Sequence, residues 1–259
     1  MTRQDDEKRL VGERAALEVR DGMALGLGTG STVRFFAEAL GRRIREEGLR
    51  LSAIPTSRQS MDLAETNGIP LTDWSQTERL DLVVDGADEV APDLSLIKGG
   101  GGALLFEKIV ASHATRRIYI ADASKLVARL GAFPLPVEVT RFGYPATARH
   151  LAALGAEVAL RLENGEPFCT DDGHLLYDCR FEAIADPAEL DRQLQAIPGV
   201  VDSGLPELAE QVSTPVFLGG KAAATHQKAL EAHGIFCLGE DISYGLQRVT
   251  DTLNAAGSR

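Results

Sequence analysis

The sequence predicts an α/β fold in which a mainly parallel, Rossmann-like sheet carries helices on both faces. From residue 6 to residue 121, short β-rich runs alternate with amphipathic helical patterns, which is typical of such a sheet. Two prolines in Phe133-Pro134-Leu135-Pro136 then mark a change in the order of elements. We therefore expect a second, smaller α+β domain after them, with the βαββαβ order of ferredoxin-like domains.

Each element follows from its local pattern of apolar and polar residues. Before the prolines we predict helix 6–19, strand 23–27, helix 32–47, strand 51–55, helix 58–67, strand 82–85, helix 103–114 and strand 117–121. After them we predict strand 137–141, helix 146–154, strands 157–162 and 174–181, helix 187–196 and strand 200–202. The tail is predicted to form strand 215–218, helix 222–233, strand 235–238 and helix 243–255. Residues 1–132 and 205–259 are assigned to the Rossmann-like domain and residues 133–204 to the smaller one.

The composition narrows the classes of partner. The 259 residues carry a formal charge of −11, which argues against a nucleic-acid partner because phosphate backbones need a concentrated basic face. The three cysteines have no CxxC spacing and the five histidines are scattered, so neither a disulfide framework nor a zinc site is indicated. The charged amino terminus, with no apolar run of membrane-spanning length, predicts a cytoplasmic protein without a membrane partner.

A glycine-rich turn, Gly26-Leu27-Gly28-Thr29-Gly30-Ser31-Thr32, joins a predicted strand to a predicted helix. Glycines let backbone N–H groups approach an anion, and the hydroxyls lie at the positive end of the helix. The turn lacks the Gly-Lys-Ser/Thr of a Walker A loop and the last glycine of the dinucleotide fingerprint. Phosphate is the ligand that it favours, and a tight turn capped by Ser31 or Thr32 is the alternative.

Two carboxylates follow the next buried strand, in Asp85-Gly86-Ala87-Asp88-Glu89. On a sharp turn they can accept hydrogen bonds from sugar hydroxyls or take part in proton transfer. Metal binding and a simple Asp-Gly turn capped by Asp88 are the alternatives. No histidine lies nearby in the sequence, which argues against a metal site.

Four successive glycines follow Lys98 and lead into a strongly helical segment. Ordering such a loop costs much backbone entropy, so an ordered loop indicates close approach of a ligand, whereas a flexible linker is the alternative. Glu107 falls on the apolar arc of the helix, with Ala103 and Val110. Burial there would raise its pKa toward the range of a general base. The alternative is a first-turn glutamate favoured by the helix dipole.

A fourth cluster, Asp122-Ala123-Ser124-Lys125, follows the predicted strand that ends at Ala121. Lys125 could supply charge to a phosphate group. Taken alone, such a residue is more often an ordinary surface lysine.

Together, segments 28–32, 85–89, 98–108, 122–125 and 133–139 resemble the type A ribose-5-phosphate isomerase family in order and spacing. The resemblance covers residues 6–205. It implies an aldose-ketose isomerase that interconverts ribose 5-phosphate and ribulose 5-phosphate through an enediolate, without metal or organic cofactor. A homodimer or higher homo-oligomer is implied as well.

The resemblance also implies roles for individual residues. Glu107 would move a proton between C1 and C2, and Lys98 would steady the developing oxyanion. Asp85 and Asp88 would serve ring opening and hydroxyl binding. The residues implied to bind the sugar phosphate are Thr29, Gly30, Ser31, Thr32, Asp85, Gly86, Ala87, Asp88, Lys98, Gly99, Gly100, Gly101 and Lys125, with Lys8 as a weaker candidate for the phosphate.

One departure from the family pattern concerns the tail, where about fifty residues follow Leu205 instead of a single closing strand. We expect strand 215–218 to close the main sheet and strand 235–238 to extend it. Two other functions remain open: isomerisation of a different aldose phosphate, and a sugar-phosphate sensor. A sensor would be expected to lack the proton-transferring carboxylate and to carry a DNA-binding module, yet Glu107 and Lys98 are present.

Overall fold

The computed structural model describes residues 2–91 and 93–206, together with the backbone of residues 216–221 and 235–241. Its helices are α1 (Arg3–Ala16), α2 (Ser31–Glu47), α3 (Arg58–Asn67), α4 (Leu104–Ser112), α5 (Tyr144–Ala153) and α6 (Pro187–Gln195). Its strands are β1 (Met23–Leu27), β2 (Leu51–Pro55), β3 (Leu80–Gly86), β4 (Glu89–Val90), β5 (Leu96–Ile97), β6 (Ala114–Asp122), β7 (Leu135–Val139), β8 (Glu157–Leu160), β9 (Leu162–Glu163), β10 (Glu166–Pro167), β11 (Leu175–Arg180), β12 (Val200–Ser203), β13 (Val216–Lys221) and β14 (Ile235–Asp241). In the described parts of the chain, no helix is long and apolar enough to cross a membrane.

The main sheet consists of parallel strands in the order β14-β13-β6-β3-β1-β2. Alternate residues of a strand face opposite sides of a sheet. Leu82 and Val84 of β3 therefore join the core with Phe36 of α2, whereas Val83 joins a separate cluster with Val110 of α4. Helices thus cover both faces, and the predicted α/β fold class is confirmed.

Glycine at position 26 allows α4 to pack closely on the sheet. A Cβ at Gly26 would lie 2.5 Å from Val110 and 2.7 Å from Val83, which is too close for any larger residue. This contact places α4, and with it Glu107, directly against the central strands.

The second sheet is antiparallel, with the order β12-β7-β11-β8. Its helices α5 and α6 give the βαββαβ order predicted from the sequence. The core of this part includes Val137, Leu151, Leu175 and Leu194, all of which are buried. The short hairpin of β9 and β10 between β8 and β11 was not predicted, because its exposed residues carry no alternating pattern.

Hydrogen bonds join the segments before β7 and after β12 of the second sheet to the residues in and after β4 and β5. The Lys98 N–H donates to the carbonyl of Gly204 after β12 at 2.9 Å. The buried carboxylate of Glu89 accepts from the N–H groups of Gly131 at 2.8 Å and Phe133 at 2.6 Å. The division into domains at residues 132 and 204 stays a prediction. The bonds of Gly204 and Phe133 join the two predicted domains, whereas the bond of Gly131 lies within the first.

Several predicted boundaries differ from the structure by a few residues. The helix predicted over 103–114 ends at Ser112, because β6 already begins at Ala114 and pairs with β3 there. The first helix starts at Arg3 rather than Asp6, because Thr2 and Asp5 cap each other's backbone in a capping box.

The tail forms both strands expected of it. β13 pairs with β6 and closes the main sheet, and β14 pairs with β13 and extends it. The helices predicted over 222–233 and 243–255 lie outside the described residues.

A chain truncated after Gly234 tests the role of β14. It would expose the edge of β13 and remove backbone that lies against α1, so we expect a lower melting temperature or a changed assembly state. Turnover should persist, because the motif residues precede the cut. Thermal melting, mass by light scattering and ribose 5-phosphate turnover check this together. Lost turnover with unchanged melting and mass would show that the tail supplies catalytic groups.

Candidate active site

The loops at the carboxyl ends of β1, β3 and β6 meet at one edge of the main sheet, where open α/β sheets bind their ligands. The predicted site residues that line the cavity between these loops are Thr29, Gly30, Ser31, Thr32, Gly86, Ala87, Asp88, Lys98, Gly99, Gly100, Gly101, Glu107 and Lys125. Asp85 is buried and contacts Lys98. Lys8 contacts Ser31. The fold therefore brings all the predicted residues together.

Lys98 is the centre of a buried charge cluster. Its Nζ lies 2.9 Å from Asp85 Oδ2 and 3.3 Å from Glu107 Oε2. The same nitrogen donates a hydrogen bond to the carbonyl of Gly86 and lies 5.2 Å from the centre of the Tyr119 ring. The exposed fractions of the three charged side chains are 8% or less. The ammonium thus links β3, α4 and β6.

Asp85 is fixed by the glycine-rich turn after β1. Its Oδ1 accepts hydrogen bonds from the N–H of Thr29 at 3.0 Å and from its neighbour Gly86 at 2.7 Å. A Cβ at Gly28 would lie 2.2 Å from this oxygen, so glycine is required at position 28 for Asp85 to occupy its place. The other oxygen of the carboxylate remains directed at Lys98.

Asp88 holds the glycine loop that follows Lys98. Its Oδ2 accepts from the N–H of Gly100 at 2.7 Å. Gly99 and Gly102 have φ angles of 84°, in the region that favours glycine over all other residues. The loop is therefore ordered by specific contacts, and the flexible-linker alternative is not favoured.

The opposite end of the cavity presents hydroxyls and cations. α2 begins at Ser31, so its N-terminal N–H groups face this end. Lys8 Nζ donates to Ser31 Oγ at 2.9 Å. A turn of 3-10 helix, Ala123–Lys125, is capped by Asp122 and carries Lys125 to the cavity. Such a combination of positive charge and N–H donors suits a phosphate group.

A family model described as ribose 5-phosphate isomerase A (phosphoriboisomerase A) matches residues 52–221. The ribose-5-phosphate isomerase A 1 of Oceanobacillus iheyensis is 45% identical, over 85% of this chain and 97% of its own length. The ribose-5-phosphate isomerase A of Gloeobacter violaceus is 54% identical, over 76% of this chain and 86% of its own length. The chain belongs to the ribose-5-phosphate isomerase A family.

Solved structures of ribose 5-phosphate isomerases have the same fold as this chain. The ribose 5-phosphate isomerase A of Methanocaldococcus jannaschii superposes with a TM-score of 0.78 at 40% identity, covering 83% of this chain and 95% of its own. A D-ribose-5-phosphate isomerase in complex with phospho-erythronic acid superposes with a TM-score of 0.80 at 34% identity, covering 85% and 96%. The family resemblance inferred from the sequence motifs is confirmed.

The charge cluster of this isomerase carries an excess of negative charge when both carboxylates are ionised, because Asp85 and Glu107 share the one ammonium of Lys98. Burial raises the pKa of Glu107 to about 8, with Asp85 adding to the rise and Lys98 opposing it. Burial by itself would lower the pKa of Lys98, but the charges of Asp85 and Glu107 outweigh it and raise that pKa. Lys98 therefore stays charged, and Glu107 is the member that gains and loses a proton near neutral pH.

The Oε2 atom of Glu107 is buried and makes no directed hydrogen bond, although it lies within ion-pair distance of Lys98. The two findings agree, because an ion pair depends on distance alone while a hydrogen bond also needs alignment. This oxygen therefore keeps lone pairs available for a proton from a bound molecule.

A second cavity, of about 250 Å³, also reaches Lys98 and Glu107. Apolar side chains, such as Leu104 and Ile109, form much of its wall. Lys108, which also lines this cavity, is already paired with Asp202. The cavity that contains the glycine loop, Ser31 and Lys125 is chemically better suited to an anionic sugar, so we assign the substrate to that one.

Sequence reasoning missed some of the residues that support the site. Thr29 Oγ1 lies 2.7 Å from Thr56 Oγ1 and 2.7 Å from Ser57 Oγ. The signal was available, because Thr56 and Ser57 directly follow β2 as Thr29 follows β1. Tyr119 gave no comparable signal, since an aromatic residue inside a strand is ordinarily part of the core. No group of three potential metal ligands occurs among the described residues.

The raised pKa of Glu107 predicts the pH dependence of catalysis. Only the ionised carboxylate can act as a base, so kcat/KM should fall as pH drops through about 8. In Asp85→Asn a negative charge that raises this pKa is gone, so the midpoint should move to lower pH. Profiles of kcat/KM against pH check both points; the phosphate group of the substrate titrates near pH 6 and can be recognised separately. A wild-type midpoint near the ordinary glutamate value of about 4.3 would contradict the assignment.

Proposed function

We propose that this chain interconverts ribose 5-phosphate and ribulose 5-phosphate, with Glu107 as the base that carries the proton between C1 and C2. Membership of the ribose-5-phosphate isomerase A family supports the reaction. The observation that carries the role of Glu107 is its position, since it is a buried carboxylate at the substrate cavity, 3.3 Å from a permanent cation.

The arrangement can perform each step of the isomerisation. Glu107 removes the proton from C2 of the open-chain aldose, and the electron pair forms a C1–C2 double bond while negative charge collects on O1. Lys98, already charged and desolvated, stabilises that oxygen. Glu107 then returns its proton to C1 as the hydroxyl proton passes from O2 to O1, which leaves the C2 ketone. Nothing is oxidised or reduced overall.

The remaining residues bind the ends of the substrate. Asp88, beside the glycine loop, is placed to accept hydrogen bonds from sugar hydroxyls, and with Asp85 it would assist ring opening. The start of α2 from Thr29 to Thr32 binds the phosphate together with Lys125, and Lys8 supports Ser31. The known complex of a relative with phospho-erythronic acid supports a sugar-phosphate ligand for this chain.

We extend the proposal to location and assembly. The enzyme acts in the cytoplasm as a homodimer or a larger homo-oligomer. The exposed apolar side chains of Phe142, 95% exposed, in the turn after β7, and of Leu162, 57% exposed, in β9, support a contact between subunits in the part of the chain after residue 133.

Replacing the base tests the mechanism directly. Glu107→Gln should keep the fold and substrate binding but lower kcat by at least about 10²–10⁴-fold, because a general base contributes roughly that factor. Glu65→Gln, an exposed change on α3, is the matched control and should behave as wild type. A coupled assay and circular dichroism measure the two properties. Near-wild-type turnover in Glu107→Gln would sink the mechanism.

Two lysines separate binding from chemistry. Lys125→Ala should raise KM by roughly tenfold or more with a small change in kcat, because a hydrogen bond to a charged group contributes about 1.5–3 kcal/mol. Lys98→Ala should chiefly lower kcat, because it acts on charge that develops in the transition state. Arg129→Ala, an exposed cation near Lys125 in the sequence, is the control. If inorganic phosphate fails to compete with substrate in the wild type, the phosphate assignment is wrong.

A further inference from the structure

The glycine loop of the active site is held from the second sheet by Arg161, which lies between β8 and β9. Its Nη1 donates to the carbonyl of Gly100 at 3.0 Å and to that of Gly99 at 3.4 Å. Asp178 of β11 accepts from Nε at 3.0 Å and from Nη2. The side chain of Arg161 is only 15% exposed. The carboxylate of Asp178 therefore fixes Arg161 through Nε and Nη2, and Nη1 is left to donate to the loop.

Phe168 completes the support. The hairpin of β9 and β10 returns the chain, so that the Phe168 N–H donates to the carbonyl of Arg161 at 2.9 Å. The ring lies 5.9 Å from the guanidinium carbon and so close to Gly102 that a Cβ there would approach it to 2.5 Å. The loop is thus held at its carbonyls by one side chain and packed at its end by another.

The contacts with Arg161 determine where the N–H groups of the loop point. In a trans peptide the C=O and the following N–H point in opposite directions. The peptide between Gly99 and Gly100 shows this, because its carbonyl faces Arg161 while its N–H donates to Asp88 at 2.7 Å. The next carbonyl, that of Gly100, is held in the same way, so the N–H of Gly101 points away from Arg161. Gly101 lines the substrate cavity.

We propose that Arg161, fixed by Asp178, is a positioning residue of the isomerase: it orients the glycine loop so that the Gly101 N–H faces the oxygens of the sugar. Arg161 touches the loop and not the reacting atoms. Its planar fork can hold Asp178 and the loop carbonyls at once, which the single ammonium of lysine cannot do. The proposal rests on the proposed function for the identity of the substrate.

The test compares Arg161→Met and Arg161→Lys with Arg180→Met, an exposed change on β11 that removes one 3.5 Å hydrogen bond to Ala132. Both Arg161 variants should lower kcat/KM by roughly 10–100-fold, because a small misplacement of a positioned group has an effect of that order. Inhibition by phospho-erythronic acid, which carries sugar-like oxygens as well as a phosphate group, should weaken by a similar factor if those oxygens contact the loop as proposed. Inhibition by inorganic phosphate, bound at the start of α2, should stay unchanged, as should all values for Arg180→Met.

Asp178→Asn adds a second check. Combined with Arg161→Met it should cost little more than Arg161→Met alone, because the two side chains act as one unit. Fully additive losses would overturn the proposal.

Other outcomes also decide. Wild-type kinetics in both Arg161 variants, or equal weakening of the two inhibitors, would assign a structural role alone and overturn the inference. If Arg161→Met fails to fold, the inhibition constants of Arg161→Lys give the decision. If Glu107→Gln is inactive and the Arg161 variants are unaffected, this inference alone is wrong. If Glu107→Gln is active, the proposed function is wrong.

Discussion

The buried ammonium of Lys98 is the feature on which the rest of the site depends. A charge with 8% exposure of its side chain is tolerated only where hydrogen bonds and opposite charges replace its hydration. Asp85, Glu107 and the carbonyl of Gly86 supply these. The cluster joins two strands of the main sheet to α4, so a shift of any of these elements would leave a charge uncompensated.

The same cluster explains how the pKa of a carboxylate can rise far enough for the proposed role of base. One ammonium cannot fully neutralise two carboxylates in a medium of low polarity. Glu107 lies on the apolar face of α4, where burial destabilises its charged form. Asp85, in contrast, accepts hydrogen bonds from the N–H groups of Thr29 and Gly86. Burial is thus the main structural cause of the raised pKa of Glu107, and the charge of Asp85 adds to it.

Binding of an anion by an acidic chain has an equally local basis. Salt largely screens solvent-exposed charges that lie more than a Debye length away, about 8–10 Å, so most of the formal charge of −11 has little effect on an anion at the site. At the site, the start of α2, Lys125 and the glycine loop present positive partial charges directly. The second sheet contributes to this arrangement, because Gly204 holds the backbone of Lys98 and Arg161 holds the loop carbonyls. Two sheets with separate cores therefore serve one site.

The sequence by itself determined the α/β alternation, the βαββαβ order and the segments that carry the site. These are local properties: Glu107 lies on an apolar arc whatever the helix packs against, and each motif directly follows its own strand. Tertiary structure alone decided which strands are neighbours, and so which of these segments meet. Glu89 belongs to the same motif as Asp85, but the fold places it away from the cavity. Its carboxylate accepts hydrogen bonds from the N–H groups of Gly131 and Phe133. The role of Arg161 could not be predicted from the sequence for the same reason. Its contacts with Asp178 and Gly100 join positions 17 and 61 residues apart, and a local sequence pattern does not show which distant residues meet in the folded chain.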